Sequence, residues 1–212
     1  MLLTLPSTLQ TSDDGSAIDS LRRYYGHPYL DEGRCYVGAY YDSWDTHKST
    51  ADDSDRFTAD DLIAVTFLSV NVKPLAARQI LATHADRYTD LLAQIGPDRN
   101  LTDESDTPTP AWPAWQLDTE LRKLPGIGRT IASKLMARKR PQLLPIWDTV
   151  IAAVLNAHNH HLEPIRVALR HNDSELDRRL RRIRDAAGLP DQISVLRTLD
   201  VVTWMDGKAR GY

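Results

Sequence analysis

The chain has 212 residues, 42% hydrophobic and 26% charged, with a net charge of −3; these are the proportions of a globular protein rather than a disordered one. No apolar run approaches the roughly 20 residues of a membrane helix, and the opening MLLTLPSTLQTSDDG lacks the basic start and long apolar stretch of a signal peptide, so a cytoplasmic protein outside the membrane is expected. The single Cys35 excludes a disulfide framework, an all-cysteine zinc site and an iron–sulfur cluster held by cysteines.

Residues 1–15 have no clear period and read as a loosely ordered lead-in to one helical body, of one or two lobes, over 16–212. Ile18, Leu21 and Tyr25 share a helical face that Gly26-His27-Pro28 ends. Residues 29–41, aromatic and punctuated by glycine, fit a short β hairpin or an irregular wrap, and 42–56 is an acidic surface loop. Thr58 and Asp61 form a capping box ahead of 62–70, which is apolar nearly all round and is predicted as the core helix. Pro74 suits the first turn of the next helix. Thr83 and Asp86 make a second capping box, before a helix that Gly96-Pro97 stops. Residues 101–113 read as a loop pinned by Trp112 and Trp115. Towards the end, helices over 163–170 and 172–187, the latter with an Asn172 cap, precede a last helix capped by Asp191. The fold class is all-α.

Between the tryptophans and these last helices lies Leu124-Pro125-Gly126-Ile127-Gly128, a tight glycine turn between two helical segments over 116–140. Gly126 and Gly128 allow positive φ and close backbone approach, and the turn leaves the amides of a new helix without intrahelical partners, which suits a phosphate. Residues 121–147 hold 7 basic residues and no acidic one, against 12 acids and 5 bases over 1–62. The overall charge is that of no generic nucleic-acid binder, but this asymmetry predicts a local positive patch at the turn.

The segment LPGIGRTIASKL, followed twenty residues after Gly128 by Asp148 in PIWDT, resembles the helix-hairpin-helix base-excision DNA glycosylases. The resemblance covers residues 121–155, with a weaker similarity at 62–69. It implies a glycosylase-like helical fold and double-stranded DNA as partner. Leu124, Pro125, Gly126, Ile127, Gly128, Arg129, Thr130 and Lys134 would grip one strand, with a monovalent cation at the hairpin carbonyls as the one candidate cofactor. It further implies Asp148 as the catalytic carboxylate of a monofunctional glycosylase, stabilising oxocarbenium-like charge on the sugar and orienting water. Thr130 stands where bifunctional members carry a lysine nucleophile, so no lyase step is expected. No cysteine set for the family's iron–sulfur cluster is present, and Asn71 is the nearest substitute for the glutamine that fills the gap left by a flipped base. Alternatives are a non-catalytic DNA-binding or adaptor protein and a helical protein-interaction module.

Asp148 also reads as the N-cap of the apolar segment that follows it. Trp147, Tyr40 and Tyr41, with Asn71, are candidates to wall a base pocket, although aromatic clusters more often belong to a core. His158, His160 and His161 lack the spacing and the companion ligands of a metal site, so no metal is expected. The arginines over 178–184 read as a solvated helix face.

Overall fold

The computed structural model describes residues 3–46, 53–105, 107–157 and 161–212; among these the protein is all-α, without a strand. None of the described helices is long and apolar enough to cross a membrane.

Helix α1 (Ser7–Gln10) is followed by α2 (Gly15–Tyr25), which buries Ala17, Leu21, Tyr24 and Tyr25 and stops where Gly26 takes a φ of 80°. Residues 4–9 are tied to the helical body. The Thr4 amide donates to the Leu155 carbonyl at 3.2 Å, the Ser7 amide and hydroxyl both donate to the Asp206 carboxylate, and Leu9 is buried. Residues 29–41 resolve to turns and a short 3-10 helix (Val37–Ala39), leading into α3 (Tyr40–Ser43).

The Thr58–Asp61 capping box forms and starts α4 (Ala59–Ala64). The long core helix expected over 62–70 does not. The chain tightens into a 3-10 turn (Val65–Leu68), Ser69 turns left-handed at φ 60°, and Ile63 remains 42% exposed. The β-branched residues Ile63, Val65 and Thr66 crowd a helical backbone, and this run is weak helix material despite its hydrophobicity. The second expected box, at Thr83, is also absent. Helix α5 (Pro74–Arg78) continues through a π turn (Gln79–Thr83) into α6 (Ala85–Ile95), so no free helix start exists at Thr83 to be capped.

Then come α7 (Pro113–Arg122), α8 (Arg129–Lys139), α9 (Thr149–Leu155), α10 (Leu162–Ala186) and α11 (Val195–Ala209). Non-helical backbone at residues 171–174 divides α10 into two pieces, and Asn172 belongs to that break instead of capping a helix. Ser194, not Asp191, caps α11 by accepting the Arg197 amide, while Asp191 pairs with Arg184.

Helix α11 is the central one. It is buried on nearly every face from Val195 to Gly207 and packs against α2, α9 and α10. Its closest approach is to α9, where a Cβ on Gly207 would collide with Val150 Cγ1 and come within 2.9 Å of Val154 Cγ2. On the other side α6 packs on α7, and α7 on α8. A single hydrophobic cluster runs through both groups, from Leu21 and Tyr25 through Leu91, Leu117 and Leu135 to Val201.

Candidate functional site

The glycine turn is built from local rules. Pro113 occupies the first turn of α7, where its missing amide costs nothing, and Ala114, Leu117 and Leu121 at helical spacing are buried. After α7 the Leu124 amide donates to Leu121 and the Ile127 amide to Leu124, with Gly126 at φ 82° between them. Leu124 and Ile127 are buried anchors, so Pro125, Gly126 and Gly128 are held outward. Gly128 is the N-cap of α8 and has no side chain to cap with, which leaves the first-turn amides of α8 without a side-chain cap at the positive end of the helix dipole. The Lys73 side chain lies across the turn: a Cβ on Gly126 would sit 2.9 Å from Lys73 Cδ. Lys73, Arg122 and Lys123 are exposed here; Arg122 pairs with Asp118 at 3.1 Å and Lys123 with Glu120 at 2.8 Å.

The remaining basic residues of the stretch turn inward, which corrects the expected patch. Lys134 is buried; its ammonium donates to the Leu68 carbonyl at 2.8 Å and lies 3.4 Å from Asp148 Oδ2. Burial pulls its pKa below the usual lysine value against the attraction of Asp148. Arg138 and Lys139 both pair with the buried Asp61. Arg140 is 1% exposed and fixes the carbonyls of Leu92, Gly96 and Ser54 as well as the Asp55 carboxylate. Arg129 folds over the Trp147 ring, 4.6 Å from its centroid, and reaches His161 Nδ1 at 3.3 Å. Thr130 is half-buried.

Asp148 is the N-cap of α9: Oδ1 accepts the Val150 amide at 2.9 Å and Oδ2 faces Lys134. Behind this pair lies a buried charged network that the sequence reading missed. Arg197 donates to Asp42, Asp200, the Tyr24 hydroxyl and the Gly38 carbonyl, while Tyr25 donates to Asp42 at 2.9 Å. Asp42, assigned from sequence to a surface loop, is therefore interior, and Asp200 Oδ1 has no hydrogen-bond partner. Burial raises the Asp200 pKa to about 6, against the opposing pull of Arg197. The one sequence signal for this network is a charged pair at spacing i, i+3, Arg197 and Asp200, set among apolar residues of the last helix.

The candidate base-pocket residues are not gathered around one cavity. Tyr41 is buried and its hydroxyl donates to the Lys134 carbonyl, Tyr40 packs on Phe67, Asn71 is exposed, and Trp147 lies beneath Arg129 with a buried, unpartnered Nε1. The void beside Tyr41, Asp42, Arg197 and Asp200 holds only about 20 Å³. A larger cavity of about 890 Å³ opens between α7, α8 and the start of α10, and neither Asp148 nor any of those four residues lines it. His158 and His160 fall outside the described residues, among which no group of three potential metal ligands occurs.

These features define an all-α protein with an exposed glycine turn between two helices and an interior ionic network. The chain belongs to the family of unknown function DUF6308, which matches residues 17–207. No curated protein and no solved structure matches. The resemblance to helix-hairpin-helix glycosylases is corrected by this result: nearly the whole chain matches DUF6308, and no glycosylase or helix-hairpin-helix family matches. A short Leu-Pro-Gly-x-Gly pattern specifies a tight turn between helices, and such a turn is no mark of one family.

Proposed function

We propose that this protein binds the backbone of double-stranded DNA through the glycine turn between α7 and α8, as a binding protein rather than as a base-excising enzyme. The observation that carries the reading is the turn itself. Buried Leu124 and Ile127 hold Gly126 and Gly128 outward, and the amides at the start of α8 have no side-chain cap. Backbone amides at a helix start recognise phosphate and carry no sequence information, so binding is expected to depend weakly on sequence. Lys73, Arg122 and Lys123 surround the turn. Exposed ion pairs such as Arg122–Asp118 are worth about 1 kcal/mol or less, and a phosphate can replace the carboxylate at small cost. Both Asp148 oxygens are engaged, and Asp148 lines neither the cavity of about 890 Å³ nor the void of about 20 Å³, which supports binding over excision. The cytoplasmic location read from the sequence belongs to the same proposal.

Fluorescence anisotropy of a labelled duplex over a salt series tests it. Three cations predict a slope of log K against log salt of about −3. A slope near zero, or one unchanged when Lys73, Arg122 and Lys123 are all replaced by Gln, overturns the reading.

A further inference from the structure

The cavity of about 890 Å³ between α7, α8 and the start of α10 lies within the range of roughly 300–1,000 Å³ typical of pockets for small organic molecules. Its wall is mainly apolar. Met136, Leu144 and Leu155 are buried around it, and Trp112 and Leu162 are half-buried at its sides.

Hydrogen bonds within the protein hold this shape in advance. The Thr4 amide donates to the Leu155 carbonyl at 3.2 Å, which brings Leu3 to one side of the cavity. Arg166 donates to the Glu104 and Ser105 carbonyls at 2.7 and 3.3 Å, holding the chain on the Thr107 side. His161 Nε2 lies 3.2 Å from the Pro145 carbonyl oxygen, which joins the start of α10 to the segment before α9. A pocket built beforehand loses little entropy when it is filled.

Charge decides what fits. The acidic residues of the lining are Asp118 and Glu163 and the basic ones Arg122 and Arg129, so their charges cancel. Each is also engaged within the protein. Asp118 pairs with Arg122 at 3.1 Å on the same wall, and its charge acts on Arg129 as well. Arg129 lies over the Trp147 ring and against His161 Nδ1. Glu163 accepts from Arg166 on both carboxylate oxygens, at 2.7 and 2.9 Å. Ser133 Oγ is taken up by the Thr130 and Trp147 backbone. An ion entering this space would give up its water without finding a spare counter-charge, whereas a neutral apolar molecule gains by covering the wall.

We propose that this cavity binds a small neutral hydrophobic molecule with an aromatic ring system, packed against Trp112, Met136 and Leu155. Aromatic rings pack favourably on tryptophan faces and edges and against methionine sulfur. The apolar wall makes this contact, so its occupancy is independent of whether the protein binds DNA.

Fluorescence titration with phenylnaphthylamine tests this, because anilinonaphthalene sulfonate carries the same aromatic body with a negative charge added. The folded protein is expected to bind the neutral compound saturably at one site per chain, and the sulfonate about tenfold or more weakly, the effect of desolvating a charge that finds no free partner. Met136→Trp should abolish binding by filling the cavity. Thr119→Trp, at an exposed position of the lining, should weaken it several-fold, and it keeps the test open if Met136→Trp fails to fold. Equal or tighter binding of the sulfonate, non-saturable binding by the wild type, or unchanged affinity in every variant that folds overturns the proposal.

Discussion

Lys134 Nζ stands 3.4 Å from Asp148 Oδ2 and 2.8 Å from the Leu68 carbonyl oxygen, so one buried ammonium ties α8 to the cap of α9 and to the 3-10 turn Val65–Leu68 that follows α4. The aspartate that looked like a reacting group is the counter-ion of that lysine. Replacing Asp148 with Asn keeps an oxygen for the Val150 amide but strands a buried charge. A loss of about 3 kcal/mol is expected in urea unfolding, since removing one partner of a buried pair costs more than removing both. Asp148→Asn combined with Lys134→Met should recover most of that loss; a purely additive double variant would show that the pair is not coupled.

The two glycines of the turn should separate folding from binding. Gly126 has a φ of 82° and Lys73 Cδ lies 2.9 Å from where its Cβ would go, so Gly126→Ala should cost about 1 kcal/mol or more of stability. Gly128 has an ordinary negative φ, and a Cβ there would meet nothing within 4 Å, so Gly128→Ala should fold normally. If DNA approaches this backbone closely, Gly128→Ala nevertheless weakens duplex binding. Undiminished affinity would move the contact elsewhere.

Gly207→Ala places a methyl group against Val150 and Val154 at the crossing of α9 and α11. Overpacking of this kind costs about 1–3 kcal/mol. Val150→Ala in the same chain should return part of the loss by vacating the space. Thermal unfolding of the wild type and the two variants measures both effects.

Asp200 predicts a pH dependence with a defined sign. Its folded pKa of about 6 lies above the ordinary aspartate value of 3.8, so the folded protein holds the proton more tightly than the unfolded chain. The stability this contributes is complete below pH 3.8 and is lost as pH rises through about 6. Arg197, Lys134 and Asp148 face the same carboxyl, and Asp42 and Asp98 also titrate upward from burial. The useful quantity is therefore the stability of wild type relative to Asp200→Asn at each pH. That difference should fall by roughly 3 kcal/mol between acid and neutral conditions. A flat difference would place the proton elsewhere.

What the sequence made legible is what depends on neighbours along the chain. Pro74, the Thr58–Asp61 box and Gly126 act over a few residues, and the elements they mark are present. The misreadings are long-range. Nothing near Arg140 in the chain announces Asp55, and nothing near Lys139 announces Asp61, yet those pairings turn an apparent basic surface into interior structure. Hydrophobicity alone also misplaced the centre of the fold. Residues 62–70 are more apolar, but α11 buries its arginine and aspartates by pairing them, and a paired charge does not keep a helix at the surface.

Because Arg138, Lys139 and Arg140 face inward, the cations left near the glycine turn form a small spot on a molecule that is negative overall. A polyanion diffusing towards such a surface is repelled over most orientations and attracted over few. Encounters would be rarer than with a uniformly basic protein, but those that occur would arrive already aligned on Lys73, Arg122 and Lys123.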